Sequence, residues 1–382
     1  MIKIIKYEKN MEAEMADMIT KAQIEKTLQI LSQSFQNILY EDDDKFMDGM
    51  KDKNLAGDDI RKYQHWEWTQ GVGLYGMWML YSETGDESYK QILDKYYEKS
   101  FETGLPSKNI NTTAPMLALS FLAENEHDKI KMDVCREWAQ CVMEQYPRSE
   151  ENGMIHRTSD SLNNGELWDD TLYMAVLFLA NMGRIEGRDD YIQESLYQYL
   201  VHIKYLTDKK TGLFFHGWTF NGRHNFAEGL WGRGNSWLTA SIPEIFEIVK
   251  DMPEHTARYL KYSLMSQVDA LVKYQDPSGM WHTLIDDEDS YLETSATCGF
   301  GYGILKSIRL GILPDKYKEC ALKSLSAVMD RIGDDGVVED VSYGTPMGRD
   351  SKDFYKQIPI KPMPYGQAMA MLFLIEAAKV AE

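Results

Sequence analysis

Six segments of this chain share one pattern, in which small and apolar residues recur at helical spacing and leave almost no polar face. A helix of this kind is buried on most sides and needs neighbours all round it. Helices with a clear polar face lie between these segments, so buried and surface helices alternate along the chain. The buried segments begin at Gly71, Asn111, Asp169, Arg233, Thr294 and Tyr365.

Six helical hairpins that must cover one another's apolar faces close most economically into a double ring with the buried helices inside. The pattern predicts an all-α fold, an (α/α)6 barrel, with residues 1–382 as a single domain because no Pro/Gly/Ser-rich linker divides them. An open superhelix of helical pairs competes, but its repeats are usually shorter than the roughly 40 to 70 residues of this chain. Short strands are predicted in the rim loops, where a Gly precedes alternating bulky residues, at 152–156, 211–218, 278–284 and 335–340.

The charge balance restricts the possible partners. With 60 Asp and Glu against 41 Lys and Arg, the net charge is −19 at pH 7, which disfavours nucleic acids and anionic membrane surfaces. Residues 1–18 contain too short an apolar run for a signal-peptide core, and the longest apolar run, "LYMAVLFLAN", is too short to cross a bilayer. We therefore expect a cytoplasmic protein with a small-molecule partner, whose oligomeric state the sequence leaves open.

No cofactor is expected from the motifs. Cys135, Cys141, Cys298 and Cys320 form no C-x-x-C pair and have no His at metal-ligand spacing, so buried reduced thiols are predicted. Neither a Walker loop, nor a dinucleotide-binding glycine fingerprint, nor a G-x-S-x-G elbow is present in the sequence.

The loops that lead into the buried helices are long and rich in Trp, His, Asp and Arg, and all open on one rim. Aromatic faces beside carboxylates suit a sugar site, because the ring stacks on the C–H face of the sugar while polar groups take its hydroxyls. Any single tryptophan could equally pack the core, but their clustering favours a pocket. The rim candidates are Trp66, Glu67, Trp68, Asn111, Glu166, Trp168, Asp169, Asp170, His216, Trp218, His224, Trp231, Arg233, Asn235, Trp237, Trp281 and His282.

Two adjacent carboxylates, Asp169 and Asp170, lie at the start of a buried helix in "LWDDTLYM". An Asp at this position commonly caps the helix by accepting a backbone N–H, so one of the pair is expected to cap. Successive helical residues point about 100° apart, so the other carboxylate can aim into the cavity. A general acid must hold a proton near neutral pH, and burial against the neighbouring tryptophans could raise the pKa of an Asp for that role.

The segment "WGRGNSW" at 231–237 places a cation, Arg233, between two tryptophans. A guanidinium group suits a bidentate clamp for a carboxylate. An ion pair with one of the many acidic neighbours is an equally open interpretation.

Five segments, taken in order, resemble glycoside hydrolase family 105, the unsaturated rhamnogalacturonyl hydrolases, which are related to the unsaturated glucuronyl hydrolases of family 88. They are "WEWTQGVGLYGMWMLYSETGD", "NINTTAPMLALSFL", "LWDDTLYMAVLFLA", "TGLFFHGW" and "WGRGNSW". The resemblance spans residues 60–370, and its most specific parts are W-x-D-T-L-Y-M and W-x-R-G-N-x-W. It implies the same (α/α)6 barrel.

The resemblance also implies a reaction on the 4,5-unsaturated uronic acid that a polysaccharide lyase leaves at the non-reducing end of an oligosaccharide. Unsaturated galacturonyl-rhamnose from pectin is the expected substrate. One Asp protonates C4 of the enol ether and helps to activate a water that adds at C5, and the resulting hemiketal rearranges and releases the remaining sugar. Matching the motif assigns this role to Asp170 and leaves Asp169 to cap or orient.

The remaining matches concern substrate binding. His216 and Arg233 resemble the ligand-contacting His and Arg of the family, and Trp231 and Trp237 would flank the sugar. Met174, one helical turn beyond the catalytic Asp, would line the same wall.

Two positions depart from the family pattern. Asn111 stands where better-known members carry a second catalytic-site Asp, and Trp68 stands where they carry a pocket Tyr. Because Asn cannot accept a proton, the catalytic load falls on Asp170, and Glu67 or Glu166 could supply another carboxylate.

Several other functions remain open from the sequence. Within the same chemistry, the chain could act on unsaturated glucuronyl products from ulvan or glycosaminoglycans. An inverting glycosidase on a saturated sugar would need two carboxylates roughly 6.5 to 9.5 Å apart. A sugar epimerase that uses histidines on the same toroid, or a sugar-binding protein without catalysis, are the further alternatives.

Overall fold

The computed structural model describes residues 19–42, 44–51 and 53–381. Residues 1–18, on which the expectation of no signal peptide rests, lie outside this range. The helices of the described residues are α1 (Lys21–Ile38), α2 (Asp44–Met50), α3 (Ile60–Tyr63), α4 (Trp68–Thr84), α5 (Glu87–Thr103), α6 (Ile110–Thr113), α7 (Pro115–Glu126), α8 (Lys129–Glu144), α9 (Leu177–Glu186), α10 (Asp189–Leu206), α11 (Gly232–Ile248), α12 (Glu254–Tyr274), α13 (Thr294–Arg309), α14 (Lys318–Met329) and α15 (Pro364–Ala378).

Shorter elements connect these helices. A π-helical turn, Leu172–Val176, leads into α9, and two 3-10 turns cover Asp315–Tyr317 and Lys352–Gln357. Two strands, β1 (Glu166–Trp168) and β2 (Gly217–Thr219), pair antiparallel.

Six helices form a closed inner ring. In the order α4, α7, α9, α11, α13 and α15, each packs against the next, and α15 packs against α4. Six outer helices cover this ring, with α1 on α15, α5 on α4, α8 on α7, α10 on α9, α12 on α11 and α14 on α13. The predicted (α/α)6 barrel is confirmed, whereas the single domain over residues 1–382 stays a prediction.

Burial follows the predicted alternation of the helices. Every residue of α15 from Tyr365 to Ala377 is buried, whereas the outer helix α5 buries only Leu93, Tyr96 and Tyr97. The turn between inner and outer helix is short because Gly85 ends α4 in a left-handed conformation and Asp86 caps α5 at once, by accepting the N–H of Ser88. The longer loops therefore all lie at the other end of the barrel.

Three of the four predicted strands are reduced to isolated bridges, such as Arg148 to Met154 and Ile332 to Val338. The prediction at 211–218 overlaps the observed strand β2 at Gly217 and Trp218. The paired strand β1 was not predicted, because its partner β2 lies 49 or more residues along the chain.

The cysteines and the apolar helices were also predicted from the sequence. All four cysteines are free and buried, as predicted. Among the described residues, no helix combines the length and the apolar character that crossing a membrane requires.

Gly303 of helix α13 lies directly against the backbone of helix α11. A methyl group on Gly303 would lie 2.1 Å from the carbonyl oxygen of Thr239. By contrast, a methyl group on Gly76 of α4 would lie 3.4 Å from its nearest neighbour, the Met371 side chain. Both glycines are inside inner helices, so they form a matched pair.

We expect Gly303→Ala to lower the free energy of unfolding by about 3 kcal/mol, because the backbone of α11 must move. Gly76→Ala should leave stability unchanged or raise it by up to about 1 kcal/mol, since Ala favours helix over Gly. Urea unfolding of both variants measures the difference. Equal stability of the two variants would show that the α11–α13 contact yields without cost.

Candidate active site

Pairing of β1 with β2 brings the two aspartates to a histidine. Trp168 pairs with Gly217, and the next N–H along the chain, that of Asp169, donates to the carbonyl oxygen of His216 at 3.1 Å. The loops before α9 and α11 are thereby joined at the N-terminal end of the inner ring. Asp169, Asp170 and His216 each present a polar atom, and all these atoms lie within 4.8 Å of one another.

Asp170 is the member of this group that reaches solvent, with its side chain 16% exposed, and its Oδ2 lies 3.4 Å from Nε2 of His216. The other ring nitrogen, Nδ1, lies 2.7 Å from the hydroxyl oxygen of Tyr355. The carboxyl group of Asp170 faces Nε2 and favours the tautomer that carries its hydrogen on that nitrogen. Nδ1 is then the acceptor and the hydroxyl of Tyr355 is the donor.

The surroundings favour the ionised form of Asp170. Burial alone raises the pKa of this carboxyl, but the hydrogen bond and charge of His216, together with His156, outweigh burial and hold the pKa below its usual range. Burial lowers the pKa of His156 to about 4 and also lowers the pKa of His216, against the opposing pull of Asp170. Near neutral pH we therefore expect two neutral imidazoles beside one carboxylate.

Asp169 has the opposite environment. It is completely buried, and, apart from Asp170, neither of its carboxyl oxygens has a hydrogen-bond partner among the described residues. Burial first, and then the charge of Asp170, raise the pKa of Asp169 well above its usual range. The expected capping hydrogen bond from Asp169 is not formed, because neither of its carboxyl oxygens accepts the N–H of Thr171 or Leu172 at the start of the helix.

A glycine makes room for Asp169. A methyl group on Gly234, in the "WGRGNSW" segment, would lie 2.2 Å from Oδ2 of Asp169 and 2.7 Å from the Trp231 ring. The two segments with the most specific sequence patterns are therefore in direct contact through this carboxyl.

Two carboxylates and an imidazole resemble a metal-ligand set. Metal ligands must be deprotonated and must turn a lone pair toward the ion. Here the carboxyl group of Asp170 favours a hydrogen on the facing Nε2 of His216, and burial favours the neutral form of Asp169. The arrangement therefore suits the handling of a proton better than the coordination of a cation.

Aromatic rings enclose the reactive group on one side. Trp168 stacks on His156 with 4.6 Å between ring centroids and an interplanar angle of 6°. His156 in turn lies 2.9 Å from Oγ1 of Thr171 through Nδ1. The ring of His216 lies 4.2 Å from that of Trp231 and 5.3 Å from that of Trp168, so His216 is held between two tryptophans.

A second aromatic group includes the other predicted tryptophans. Trp68 is half-buried, stacks on Tyr365 at 4.6 Å and meets Trp237 edge-on at 6.2 Å. Trp237 is completely buried and lies 5.0 Å from the ring of Tyr173 in the π-helical turn. Met174 follows in the same turn and is also buried.

Asn111 lies in α6, which packs against the π-helical turn that follows Asp170. The residue is half-buried, and its backbone N–H donates to the cap residue Asn109. Its position beside the turn is compatible with the pocket role that the resemblance implies, and its contact with substrate stays a prediction.

The guanidinium group of Arg233 is occupied within the protein. One terminal nitrogen donates to the carbonyl and hydroxyl oxygens of Ser342. The other donates to the carbonyl of Tyr343 at 3.2 Å and to Oγ1 of Thr345 at 2.9 Å, and Glu293 lies 3.9 Å away. A bidentate clamp on a uronate would require this segment to release the arginine, so its binding role stays a prediction.

Glu166 and Glu67, the two other carboxylates considered from the sequence, are both engaged elsewhere. Glu166 makes a two-point ion pair with Arg349, at 2.8 and 3.1 Å, and accepts from Nε1 of Trp168. Glu67 accepts the N–H of Trp68 at the start of α4, and burial raises the pKa of Glu67 to about 8.

Sequence reasoning missed two residues of the site, His156 and Tyr355. His156 lies in the segment 152–156, for which the sequence predicted only a short strand, and no catalytic motif accompanies it. Tyr355 lies 139 residues from His216 along the chain, so local pattern carries no sign of the contact. Three rim candidates use a ring nitrogen to contact the backbone. The indole N–H groups of Trp66 and Trp281 donate to backbone carbonyls, and Nδ1 of His282 contacts the Ser290 carbonyl.

A sequence-family model and a bacterial relative both match most of this chain. The sequence model described as Glycosyl Hydrolase Family 88 matches residues 41–381. The chain is 33% identical over 317 residues to the unsaturated rhamnogalacturonyl hydrolase YesR of Bacillus subtilis, which covers 82% of this chain and 90% of that protein.

Two solved structures are similar in fold and sequence. A possible member of family GH105 from Salmonella enterica has a TM-score of 0.88 and 42% identity, over 95% of both chains. A possible member of the same family from Klebsiella pneumoniae has a TM-score of 0.87 and 41% identity, over 95% of this chain and 94% of the other.

Proposed function

Since the chain belongs to glycosyl hydrolase family 88, we propose that it removes a 4,5-unsaturated uronic acid from the non-reducing end of lyase-generated oligosaccharides. The chain is a glycoside hydrolase, and its substrate is an oligosaccharide. Unsaturated galacturonyl-rhamnose from pectin is the proposed substrate, because the relative in Bacillus subtilis is named a rhamnogalacturonyl hydrolase. The cytoplasmic location stays a proposal from the sequence.

The position of Asp170 supports this reaction most directly. Asp170 is partly open to solvent and contacts His216, whose ring lies 5.3 Å from that of Trp168 and 4.2 Å from that of Trp231. Ordinary glycoside hydrolysis needs a second carboxylate as base or nucleophile. Glu166 is bound by Arg349, and Glu67 keeps its proton near neutral pH, so neither supplies a free carboxylate. Hydration of an enol ether needs only one carboxyl and a water molecule.

In the proposed reaction, Asp170 delivers a proton to C4 and receives one from the water that adds at C5. His216 holds the carboxyl through Nε2 and is itself fixed by Tyr355. Trp168 and Trp231 are buried beside His216 and keep the surroundings of the reactive group apolar. Arg233, close to Trp231, adds positive charge that favours an anionic uronate at short range.

Loss of ultraviolet absorbance tests the proposal, because hydration removes the conjugated double bond of the unsaturated uronide. The protein should be incubated with lyase products of pectin, ulvan and glycosaminoglycans, with a denatured sample as control. We expect the fastest loss with unsaturated galacturonyl-rhamnose. A preference for a glucuronyl product would correct the substrate alone, whereas no absorbance loss with any product would overturn the proposed function.

Tyr355→Phe should lower kcat/KM by about 10-fold, because loss of the hydroxyl leaves Nδ1 of His216 without its donor, at a cost of about 1–3 kcal/mol. The matched control is Tyr197→Phe, since that hydroxyl is on an exposed side chain and donates to the carbonyl of Glu151. Steady-state kinetics of both variants gives the comparison. Equal kcat/KM values would show that the tautomer of His216 does not depend on Tyr355.

A further inference from the structure

The pair of adjacent aspartates is divided between two environments, and the mechanism above uses only one of them. Asp170 is partly exposed and faces His216. Asp169 is completely buried, and, apart from Asp170, both of its oxygens lack a hydrogen-bond partner among the described residues. An ionised carboxylate buried in this way is strongly disfavoured, so the position demands an explanation other than helix capping.

Contact within the pair supplies that explanation. Asp169 and Asp170 present carboxyl oxygens within the 4.8 Å group that also includes Nε2 of His216. A side-chain hydrogen bond joins the two carboxyl groups, and such a pair favours a single shared proton because both members cannot be ionised without strong repulsion. A proton on one oxygen of Asp169 donates toward Asp170, which remains the charged member beside His216.

Resting on the function proposed above, we propose that Asp169 and Asp170 hold one proton between them, and that Asp169 is the positioning residue that keeps this proton available to Asp170. Asp169 thus takes the place of the second carboxylate that Asn111 does not supply. It does so from behind the catalytic group, on the side away from solvent.

The proton balance of the reaction is simple. The shared proton moves from Asp169 to Asp170, and the O–H bond of Asp170 breaks as the proton bonds to C4 and the C4–C5 double bond is consumed. The oxygen of water bonds to C5, and the proton lost by this water returns to the pair. The carboxyl pair therefore ends with the same single proton, and no oxidant or reductant is needed.

Charged and titratable neighbours of the pair come from several elements. The loop before β1 contributes His156, β1 itself contributes Glu166, the residue just before β2 is His216, and α11 contributes Arg233. Tyr355 faces both aspartates from the 3-10 turn. Asp169 becomes negatively charged when the shared proton has moved to the substrate. The positive charge of Arg233 stabilises this state, so the guanidinium group has a role that needs no contact with substrate.

The pH dependence of Asp169→Asn tests the proposal. In the wild-type protein, burial and the neighbouring charge raise the pKa of Asp169, so the pair keeps its proton as pH rises through neutrality. In the variant, Asp170 alone must hold the proton, and His216 lowers its pKa. We expect the alkaline limb of the kcat/KM profile to move down by about 2 pH units or more, with activity recovered in acid.

A merely structural role of Asp169 would leave the alkaline limb in place and change only the melting temperature. Because Asn has nearly the same size as Asp and its amide can donate to Asp170 in place of the shared proton, we expect the variant to fold. Asp289→Asn, an exposed carboxylate on a surface loop, is the matched control and should leave the profile unchanged. An unshifted limb in Asp169→Asn would overturn the proposal.

Infrared difference spectroscopy tests the shared proton without substrate. At neutral pH, the wild-type minus Asp169→Asn spectrum should contain the carbonyl stretch of a protonated carboxyl group, shifted in D2O, whereas the wild-type minus Asp289→Asn spectrum should not. Absence of this band would also overturn the proposal. If the band is present but the protein hydrates no unsaturated uronide, the shared proton is supported and the proposed function is wrong.

Discussion

Asp170→Asn is expected to lower kcat for hydration of the unsaturated uronide by about 1,000-fold, within the range that general acid–base groups contribute. The amide has nearly the size of the carboxyl group but cannot deliver a proton to C4 or take one from water. Its N–H or oxygen still faces His216, so substrate binding should change little. Loss of ultraviolet absorbance under saturating substrate measures kcat directly.

The control for this variant is again Asp289→Asn, which changes one exposed carboxylate outside the site. Both variants should unfold at the wild-type urea concentration, within experimental error. A kcat of Asp170→Asn within 10-fold of the wild-type value would assign the proton transfer to another group.

Lys306→Met is expected to lower the free energy of unfolding by about 3–5 kcal/mol, because it leaves a buried carboxylate without its cation. Nζ of Lys306 is completely buried and lies 2.7 Å from Oε1 of Glu244 and 2.7 Å from Oε2 of Glu247. Tyr75 donates to the other oxygen of Glu244 at 2.7 Å, and Tyr302 donates to the same carboxylate. These groups join α4, α11 and α13 inside the ring.

Lys316→Met is the matched control, because Lys316 pairs with Asp269 on the surface with its side chain 61% exposed. An exposed pair contributes less than about 1 kcal/mol. Urea unfolding of both variants measures the difference. A loss below about 1 kcal/mol for Lys306→Met would show that Glu244 becomes protonated or hydrated at little cost.

Much of the barrel could be predicted from the sequence. The burial of a helix can be predicted from its own residues. A helix such as α15, which is apolar on every face, must be buried regardless of which elements surround it. Six such helices alternating with amphipathic ones leave a closed double ring as the most economical arrangement. For the same reason, the turns at Gly85 and Gly187, which end inner helices in left-handed conformations, follow from local chemistry.

The candidate site could be predicted only in part. The position of Asp170 and His216 on one rim follows from the repeat, and the family resemblance singled out Asp170. Their mutual contact depends on the pairing of β1 with β2, and the orientation of His216 depends on Tyr355, which is 139 residues away. No local pattern encodes such partners, because closure of the ring brings them together.

The sequence by itself thus determined the helical ring, its rim of tryptophans and the carboxylates at the start of one inner helix. Only the tertiary structure decided how each charged group is used. Arg233 is bound by the segment 342–345, Glu166 is bound by Arg349, and Asp169 is completely buried beside Asp170. The physical reason is that apolar periodicity reports burial within a single helix, whereas the proton and charge of a side chain depend on partners from distant segments.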